Sequence, residues 1–520
     1  MDQCTREYSL ATDGGTPHRY CSMVTSFVFL NEVNLRLVSK NDPGVTELFL
    51  RRNGWIEGSG RVIGESQILS DLEIDYDFIC DDYGDRLNIE EPWLEELCRG
   101  LSRNRSIKLL RLRMNWIESH IDIFRTIAPL FKNNDNLRYL EIYRAQPQTI
   151  ESLSAVLSEC ENSRLEHICL TKAAVPESGA ALFIKSLNSL HNLLDLRFDQ
   201  IYMGKRGTEA LADLLSNFTS KLQELQLKYT RLGNDEVGLI CLRKALAMNT
   251  TLRNLSLFFG DDDTSLEVWQ RITECLTNPN AKLEELVLSS NDIADAEMIS
   301  LGDALADNQT LKILDMAGFK SDSITSEGWQ GLSNCPTNPK SALEEVYIRY
   351  CTIDEEGIES IIVALDGNTR LKELAITSEH YIDEDSRTWW YLLDTILCDK
   401  TSIDRTFSSN HTLDYIEITS DYEDDSHPEH ICSPLNANKN EDKSEVARQK
   451  ILQYHFPGGC TNIHIFTRMS ESVLVYAMEW MGRNNLGYSL MYGVVRGVPH
   501  LFDARSGPQL LDEAGRRMKR

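Results

Sequence analysis

The sequence predicts an α/β solenoid: a right-handed β–α superhelix that curves into a horseshoe and ends in a C-terminal helical region. Two observations predict this fold. A pattern of the form apolar-x-x-apolar-x-apolar, called a frame below, recurs thirteen times at spacings that are usually 28 to 32 residues. Amphipathic stretches with helical periodicity separate the frames. A unit of this length cannot bury its own apolar face, so successive units must stack to share one elongated core.

Each frame predicts a short strand, as in LEELVLSSNDI at residues 283–293. The first, fourth and sixth residues of a frame point toward the core, and the alternate residues point to the opposite face. The frames open at Val45, Leu69, Ile107, Leu137, Leu165, Leu193, Leu222, Leu252, Leu283, Leu311, Leu343, Leu371 and Leu413. Stacking of these strands produces one long exposed sheet.

The stretches between frames predict helices, as in AEMISLGDALADN at 296–308 and EEGIESIIVALDGN at 355–368. A helix is wider than a strand, so stacking curves the array and leaves the sheet on the concave side. Units of this length and composition resemble the ribonuclease-inhibitor-like class of leucine-rich repeats over residues 45–420. The resemblance implies the horseshoe fold and does not imply an activity.

The chain divides into four predicted segments. Residues 1–44 form an N-terminal flank or cap, 45–420 the repeats, 421–443 an acidic linker, and 444–520 a helical region. The last segment is interpreted either as a cap over the core edge of the final repeat or as an independent docking module. NEDKSEVARQKILQYHF and MEWMGRNNLGYSLMYGVVRGVPHLFD resemble the tails of large leucine-rich repeat families in microalgal, diatom-type genomes.

Two further patterns are interpreted as structural. Asn-x-Ser/Thr triplets begin at Asn249, Asn308 and Asn410, shortly before a frame opens, and are expected to close the preceding helix rather than to accept a glycan. Trp389 and Trp390 lie in the long insertion between the last two frames and are expected to be a packed anchor.

The charge balance restricts the class of partner. The chain has 53 basic and 80 acidic residues and a formal net charge of −27, which disfavours nucleic acid and anionic membrane surfaces as partners. A protein partner is expected, with a basic protein or a small GTPase as candidates. The thirteen cysteines show no paired spacing, and no apolar run approaches membrane length, so a cytoplasmic location is predicted, with the nucleus as the alternative.

No motif indicates catalysis, and we therefore predict a protein that is not an enzyme and has no cofactor. A phosphate-binding loop is absent from the sequence, and the glycines around residue 60 lack the spacing of a dinucleotide site. His427 and His430 in HPEHIC have no second ligand pair nearby, so no metal site is predicted.

The outward positions of the frames carry a charge pattern. Acids dominate the third position, as at Glu47, Asp195 and Glu224, whereas bases dominate the seventh and eighth, as at Arg113 and Lys228. These rows are interpreted in two ways: as neighbouring rows that pair with each other, or as a binding face, because tyrosine and arginine often anchor protein interfaces. The candidate protein-binding residues are Tyr143, Arg144, Lys172, Tyr229, Phe258, Phe259, Arg349 and Tyr350.

A second functional hypothesis is activation of a small GTPase, since activators of Ran-like GTPases use the same type of repeat. Such a protein acts on the partner's GTP, with an exposed polar residue near the phosphates. Arg52, Asn53 and Asn115 are the candidates for that role. Those activators commonly carry an acidic tail, whereas this chain ends in EAGRRMKR, and this difference counts against the hypothesis.

Overall fold

A computed structural model describes residues 28–51, 56–75, 92–114, 122–230, 236–258, 273, 275–289, 294–318, 324–337, 341–378, 388–420 and 428–455. Within these residues, fourteen parallel strands form one sheet in chain order. The strands are β1 (Val28–Phe29), β2 (Glu47–Arg51), β3 (Asp71–Asp75), β4 (Leu109–Arg113), β5 (Tyr139–Tyr143), β6 (His167–Thr171), β7 (Asp195–Asp199), β8 (Glu224–Lys228), β9 (Asn254–Phe258), β10 (Glu285–Ser289), β11 (Ile313–Ala317), β12 (Glu345–Cys351), β13 (Glu373–Ser378) and β14 (Tyr415–Ser420). The predicted α/β leucine-rich repeat solenoid is confirmed.

Helices connect successive strands along one side of the sheet. They are α1 (Glu32–Ser39), α2 (Ser59–Glu65), α3 (Pro92–Arg103), α4 (Ile123–Asn133), α5 (Pro147–Ser158), α6 (Glu177–Ser186), α7 (Gly204–Ser216), α8 (Glu236–Met248), α9 (Asp295–Ala306), α10 (Ser326–Thr337), α11 (Glu355–Val363), α12 (Trp389–Leu397), α13 (Ile403–Ser408), α14 (Glu429–Asn438) and α15 (Lys443–His455). The axes of packed helices lie about 8–10 Å apart, whereas paired strands lie about 4.8 Å apart. Because the helix side of each unit is wider than the strand side, the array curves and the sheet lines the concave side.

The strand register follows the frames. The first, fourth and sixth residues of all thirteen frames are buried. Leu286 on β10, for example, lies opposite Leu255 on β9 and Leu314 on β11, so each inward row of side chains is continuous from one unit to the next. The remaining outward residues of each strand occupy the concave face of the sheet.

The array extends one unit further toward the N terminus than the frames predict. Val28 and Phe29 of β1 pair with Leu48 and Phe49 of β2, and α1 follows β1. The part of the N-terminal flank that the structure describes therefore contains a repeat unit. The sequence pattern misses this unit because the residue aligned with Val45 is Thr25, which is polar.

A ladder of buried asparagines joins the helix ends of neighbouring units. Six of them lie three residues before the opening of a frame, and each side-chain Oδ1 accepts the backbone N–H two residues further on; they are Asn104, Asn134, Asn249, Asn308, Asn368 and Asn410. The Oδ1 of Asn308 also accepts from Leu311 N at 2.7 Å, and its Nδ2 donates to Leu276 O of the preceding unit at 2.7 Å. The prediction that Asn249, Asn308 and Asn410 serve the helix ends is thus confirmed.

The C-terminal segments are packed more closely than the sequence predicts. Residues 428–443, within the expected acidic linker, contain helix α14, whose Ile431 and Leu435 are buried. Their apolar side chains cover the end of the core, since α14 packs on α12 and α15 packs on both α13 and α14. Trp389 and Trp390 are buried in α12, which confirms the packed anchor. The apolar stretch at 478–503 lies outside the described residues.

Lys450 on α15 is fully buried, and its ammonium donates hydrogen bonds to backbone carbonyls. Its ammonium donates to Leu397 O at 2.6 Å and to Asn410 O at 2.9 Å, so it connects α15 to the end of helix α12 and to the ladder asparagine before the last frame. Burial, together with the smaller effect of the nearby Lys443 charge, lowers the pKa of Lys450 to about 7. His411 lies beside it, and burial with the charge of Lys450 lowers the pKa of His411 to about 4.

Replacement of Asn308 by alanine is expected to lower the free energy of unfolding by about 2–3 kcal/mol, because it leaves three buried backbone groups without their partner. Asp307→Ala at the neighbouring exposed position is expected to change it by less than about 0.5 kcal/mol. Denaturant midpoints of the two variants measure the difference. Equal midpoints would show that the ladder does not stabilise the array.

The packing of α15 is expected to strengthen between pH 7 and 8.5. The pKa of Lys450 in the folded protein lies below its unfolded value of about 10.4, so the unfolded chain binds more protons across this range and stability rises by up to about 1.4 kcal/mol per pH unit. The rise ends near pH 9, where Cys398 opposes it, since burial raises the pKa of that thiol to about 11.

Hydrogen-exchange protection factors of 443–455, corrected for intrinsic exchange, measure this pH dependence. Lys450→Met retains most of the apolar stem and has no titrating amine, so its protection factors are expected to be independent of pH over the same range. An unchanged slope in Lys450→Met would assign the effect to another group.

Candidate binding surface on the concave sheet

The third, fifth and seventh residues of each frame form three rows on the concave face, and the eighth residue follows at the edge. The third and seventh rows lie about 13 Å apart at about 3.3 Å per residue. The fifth row, which lies between them, is left out of the charge pattern at the third, seventh and eighth positions. It contains the arginines that decide how the acidic residues of this face are satisfied.

Two arginines of β4, one in the fifth row and one in the seventh, pair with fifth-row acids on the neighbouring strands. Arg111 Nε lies 2.6 Å from Glu141 Oε2, and Arg113 Nε lies 2.9 Å from Glu73 Oε1. Glu73 is only 5% exposed, and its burial raises its pKa against the opposing effect of the two arginines. These contacts support the interpretation that neighbouring rows pair with each other.

A similar arrangement recurs three strands further along the sheet, on β7. Arg197 lies 2.9 Å from Asp195 and 2.7 Å from Glu224, and His167 Nδ1 lies 3.1 Å from Asp195 Oδ2. The His167 ring stacks on Tyr139 with centroids 4.2 Å apart. The third-row acids at this place are therefore held by groups of the protein itself.

Cys169 lies between Thr171 and His167 on the same strand, so a thiol, an imidazole and the Asp195 carboxylate share one region of the face. Burial raises the pKa of Cys169 to about 12. A thiol with this pKa is protonated near neutrality and is a weak nucleophile. The arrangement is suited to packing and hydrogen bonding rather than to thiolate chemistry.

The eighth position has left-handed backbone geometry in six units. The residues are Arg144, Lys172, Gln200, Tyr229, Gly318 and Tyr350, with φ between 49° and 70°. The backbone N–H groups of the first five residues each donate a hydrogen bond to a carbonyl of the next unit; that of Lys172, for instance, donates to Asp199 O at 2.7 Å. Left-handed geometry costs an L-residue roughly 1–2 kcal/mol, and glycine avoids that cost.

Basic side chains lie over aromatic rings at one part of this edge. Arg144 and Lys172 lie 5.1 Å and 5.8 Å from the centroid of the Tyr143 ring, and Lys228 lies 5.5 Å from that of Tyr229. We call this surface the ledge; it consists of Tyr143, Arg144, Lys172, Gln200, Lys228 and Tyr229. Arg144, Lys172 and Gln200 are exposed, and the other three side chains are half-buried.

The eight candidate residues do not form a single cluster. Tyr143, Arg144, Lys172 and Tyr229 lie on the ledge. Arg349 and Tyr350 lie on β12, seven strands from β5, a separation of about 34 Å along the sheet at about 4.8 Å per strand.

Phe258 and Phe259 differ from expectation in another way. Phe258 was expected to be an exposed anchor, but it is only 7% exposed, and Lys228 lies over its ring at 5.6 Å. A flat ring at the end of the strand is covered by longer neighbouring side chains, so it supports the ledge from below. Phe259 lies outside the described residues.

The β12 region is organised by the hydroxyl of the half-buried Tyr347. Tyr347 OH lies 2.9 Å from Glu345 Oε2 and 2.7 Å from Glu373 Oε2, and burial with these carboxylates raises the pKa of Tyr347. The Arg349 guanidinium lies 4.6 Å from the centroid of the Tyr347 ring. Tyr350 is 36% exposed at the edge of this group.

Within the described residues, no group of three or more His, Cys, Asp or Glu side chains is arranged to hold a metal ion. In the same part of the chain, no helix is both long and apolar enough to cross a bilayer. His427 of the HPEHIC segment lies outside the described residues, and His430 stacks on Tyr391 with centroids 6.2 Å apart.

Comparison with known proteins agrees with this fold. A family model described as a leucine-rich repeat matches residues 280–302. The ribonuclease inhibitor of Mus musculus is 24% identical over 224 residues, 43% of this chain and 48% of that protein. NACHT, LRR and PYD domains-containing protein 5 of Mus musculus is 24% identical over 275 residues, 52% of this chain and 23% of that protein. The chain thus spans about half, or less, of the length of these relatives.

A solved structure of the yeast Rad7 and Elc1 complex covers 64% of this chain and 77% of its own chain, with a TM-score of 0.32 and 14% identity. The strand and helix order, together with the sequence matches, defines the class: an α/β leucine-rich repeat solenoid of the ribonuclease-inhibitor-like type.

Lys172→Gly is expected to leave the free energy of unfolding unchanged or to raise it by up to about 1 kcal/mol, because relief of left-handed strain offsets the entropy cost of glycine, about 0.5–1 kcal/mol. Lys185→Gly on the exposed surface of α6 is the matched control and is expected to lower it by about 0.5–1 kcal/mol. Thermal or denaturant unfolding distinguishes them. A greater loss in Lys172→Gly than in Lys185→Gly would contradict the assigned backbone geometry.

Proposed function

We propose that the protein is a non-enzymatic scaffold that holds a protein partner on its concave sheet. The ledge is the principal contact, and Arg349 with Tyr350 forms a second contact further along the sheet. The observation that carries this proposal is the row of exposed basic and polar side chains kept at left-handed positions, beside aromatic rings. Backbone strain that recurs at a surface indicates that the side chains there are useful.

The residue types and their placement favour protein recognition. Arginine and tyrosine are enriched among residues that anchor protein interfaces. On the ledge the Arg144 guanidinium lies over the Tyr143 ring and Lys228 lies over Phe258, so these side chains are held in place before a partner binds. The distance between the ledge and Tyr350 allows one partner to touch both ends of a long concave surface.

The proposal that the protein is not an enzyme follows from the chemistry of the same face. Its histidine and carboxylates are engaged in internal contacts, and the Cys169 thiol is protonated near neutrality. We place the protein in the cytoplasm, with the nucleus as the alternative. Cysteines that the structure describes, such as Cys98 and Cys335, are present as free thiols, as a reducing compartment favours.

The GTPase-activator hypothesis depends on Arg52, Asn53 or Asn115. All three lie outside the described residues, so no contact of theirs adds to the hypothesis. Measurement of GTP hydrolysis by small GTPases, with and without the purified protein, tests it directly.

Site-specific photo-crosslinking tests the scaffold proposal. A photoreactive phenylalanine derivative at Gln200, in the middle of the ledge, is expected to form a discrete protein adduct in native cell extract. The same group at Asp303, which is exposed on helix α9, is the control and is expected to form none. An excess of unmodified protein should suppress the Gln200 adduct, because both compete for one partner.

The competition also identifies the surface. Unmodified protein with Arg349→Ser and Tyr350→Ser should compete less well if β12 contributes, whereas an Asp303→Ser competitor should match the wild type. An adduct from Asp303 and none from Gln200 would place the binding surface on the outer helices and overturn the proposal.

A further inference from the structure

We infer that the ledge binds an extended, acidic segment of the partner polypeptide, even though the chain itself has a net charge of −27. This inference rests on the proposed function and adds to it the chemistry of the bound segment. It differs from the sequence-based expectation of a basic partner, which follows from total charge alone.

The local charge of the ledge is opposite to that of the whole chain. Arg144, Lys172 and Lys228 are the ledge cations, and Asp199 is the acid between them. Burial raises the pKa of Asp199, while Lys228 and Lys172 oppose that effect. One half-buried carboxylate against three cations leaves the ledge positive, so carboxylates of a partner are attracted to it.

Several acids of the concave face are paired with arginines away from the ledge. Asp195 and Glu224 of the third row contact Arg197, and Glu73 contacts Arg113. The third row lies about 13 Å from the seventh. A partner bound along the ledge therefore meets the cations first, while the acids remain paired behind them.

The dimensions of the ledge fit a single extended strand of polypeptide. Arg144 follows β5 and Lys228 ends β8, three strand spacings away, or about 14 Å. In an extended chain, side chains four residues apart lie on one face at a separation of about 13 Å. Alternating acidic residues can thus reach both ends of the ledge at once.

A nucleic acid fits this surface less well. A duplex is wider than the distance between the basic edge and the third row, so its phosphates would approach the acids of that row. The net charge of −27 also repels a polyanion at long range. A short peptide presents its carboxylates only where the cations are.

The non-glycine side chains at the left-handed eighth position supply a second, independent argument. Gly318 occupies the eighth position in another unit, so the fold accepts glycine there. The ledge instead has Arg144, Lys172 and Tyr229 at this strained position. Because glycine would relieve the strain, binding of a ligand to these side chains explains their presence better than stability does.

Fluorescence anisotropy with a labelled octapeptide of alternating glutamate and threonine tests the inference. The full-length protein is expected to bind it, with affinity falling at least tenfold between 50 and 500 mM NaCl, because salt screens exposed charges. A ledge variant with Arg144→Gly, Lys172→Gly and Lys228→Gln is expected to bind at least tenfold more weakly while its unfolding temperature stays within error of the wild type.

The matched control removes the same charge from three exposed helix positions, with Lys185→Gln, Arg206→Gln and Lys244→Gln. It should bind the glutamate peptide as the wild type does. Equal loss in both variants would reduce the effect to net charge and overturn the inference. Preferred binding of a lysine–threonine octapeptide, or equal competition by oligothymidylate, would also overturn it.

The two proposals fail separately. If Gln200 crosslinks to a partner and the glutamate peptide does not bind, the scaffold stands and the acidic segment is wrong. If Asp303 crosslinks and Gln200 does not, the scaffold proposal itself is wrong.

Discussion

The whole structure depends on the inability of any one unit to bury its inward side chains alone. Each strand presents three apolar residues to a core that exists only when the next strand stands beside it. Leu286 is covered because Leu255 and Leu314 occupy the same register on either side. The length of the array, its curvature and the need for cover at both ends all follow from this mutual burial.

Polar groups are shared between units in the same manner. Each ladder asparagine satisfies the start of its own strand through Oδ1, while its Nδ2 in several units reaches a carbonyl of the preceding unit. The ladder continues past the last frame, where Asn438 donates to Leu413 O at 2.6 Å. The ammonium of Lys450 then donates to two further carbonyls, Leu397 O and Asn410 O. Helices α14 and α15 thus continue the pattern of the repeats with different residues.

The concave face is divided by internal pairing. Arginines of the fifth row neutralise the acids near β3 to β5 and near β7 to β8, and Tyr347 bridges two glutamates on β12 and β13. These internal pairs determine which charged side chains of the concave face are oriented toward other groups of the protein. The cations of the ledge stand at the strand ends, about 13 Å from the third-row carboxylates, and this position underlies the proposed binding of an acidic segment.

Sequence alone was sufficient for the architecture. The period of the frames determined the strands, their register and the buried rows, because side-chain alternation in a strand is set by local geometry. The Asn-x-Ser/Thr triplets just before a frame also indicated three of the six ladder asparagines. The unit of β1 was missed because Thr25 replaces an apolar residue, and α14 was missed because a short polar helix shows little periodicity.

Only the tertiary structure decided which surface residues are available. The sequence shows which charges lie in the outward rows but not their partners, because pairs between adjacent strands join side chains 26 to 40 residues apart. The sequence therefore could not show that Arg197 holds Asp195 and Glu224 or that Phe258 is covered. Likewise, the backbone at Lys172 is left-handed because of the turn between stacked units. Lysine has no preference for this geometry, so the residue type at this position does not predict it.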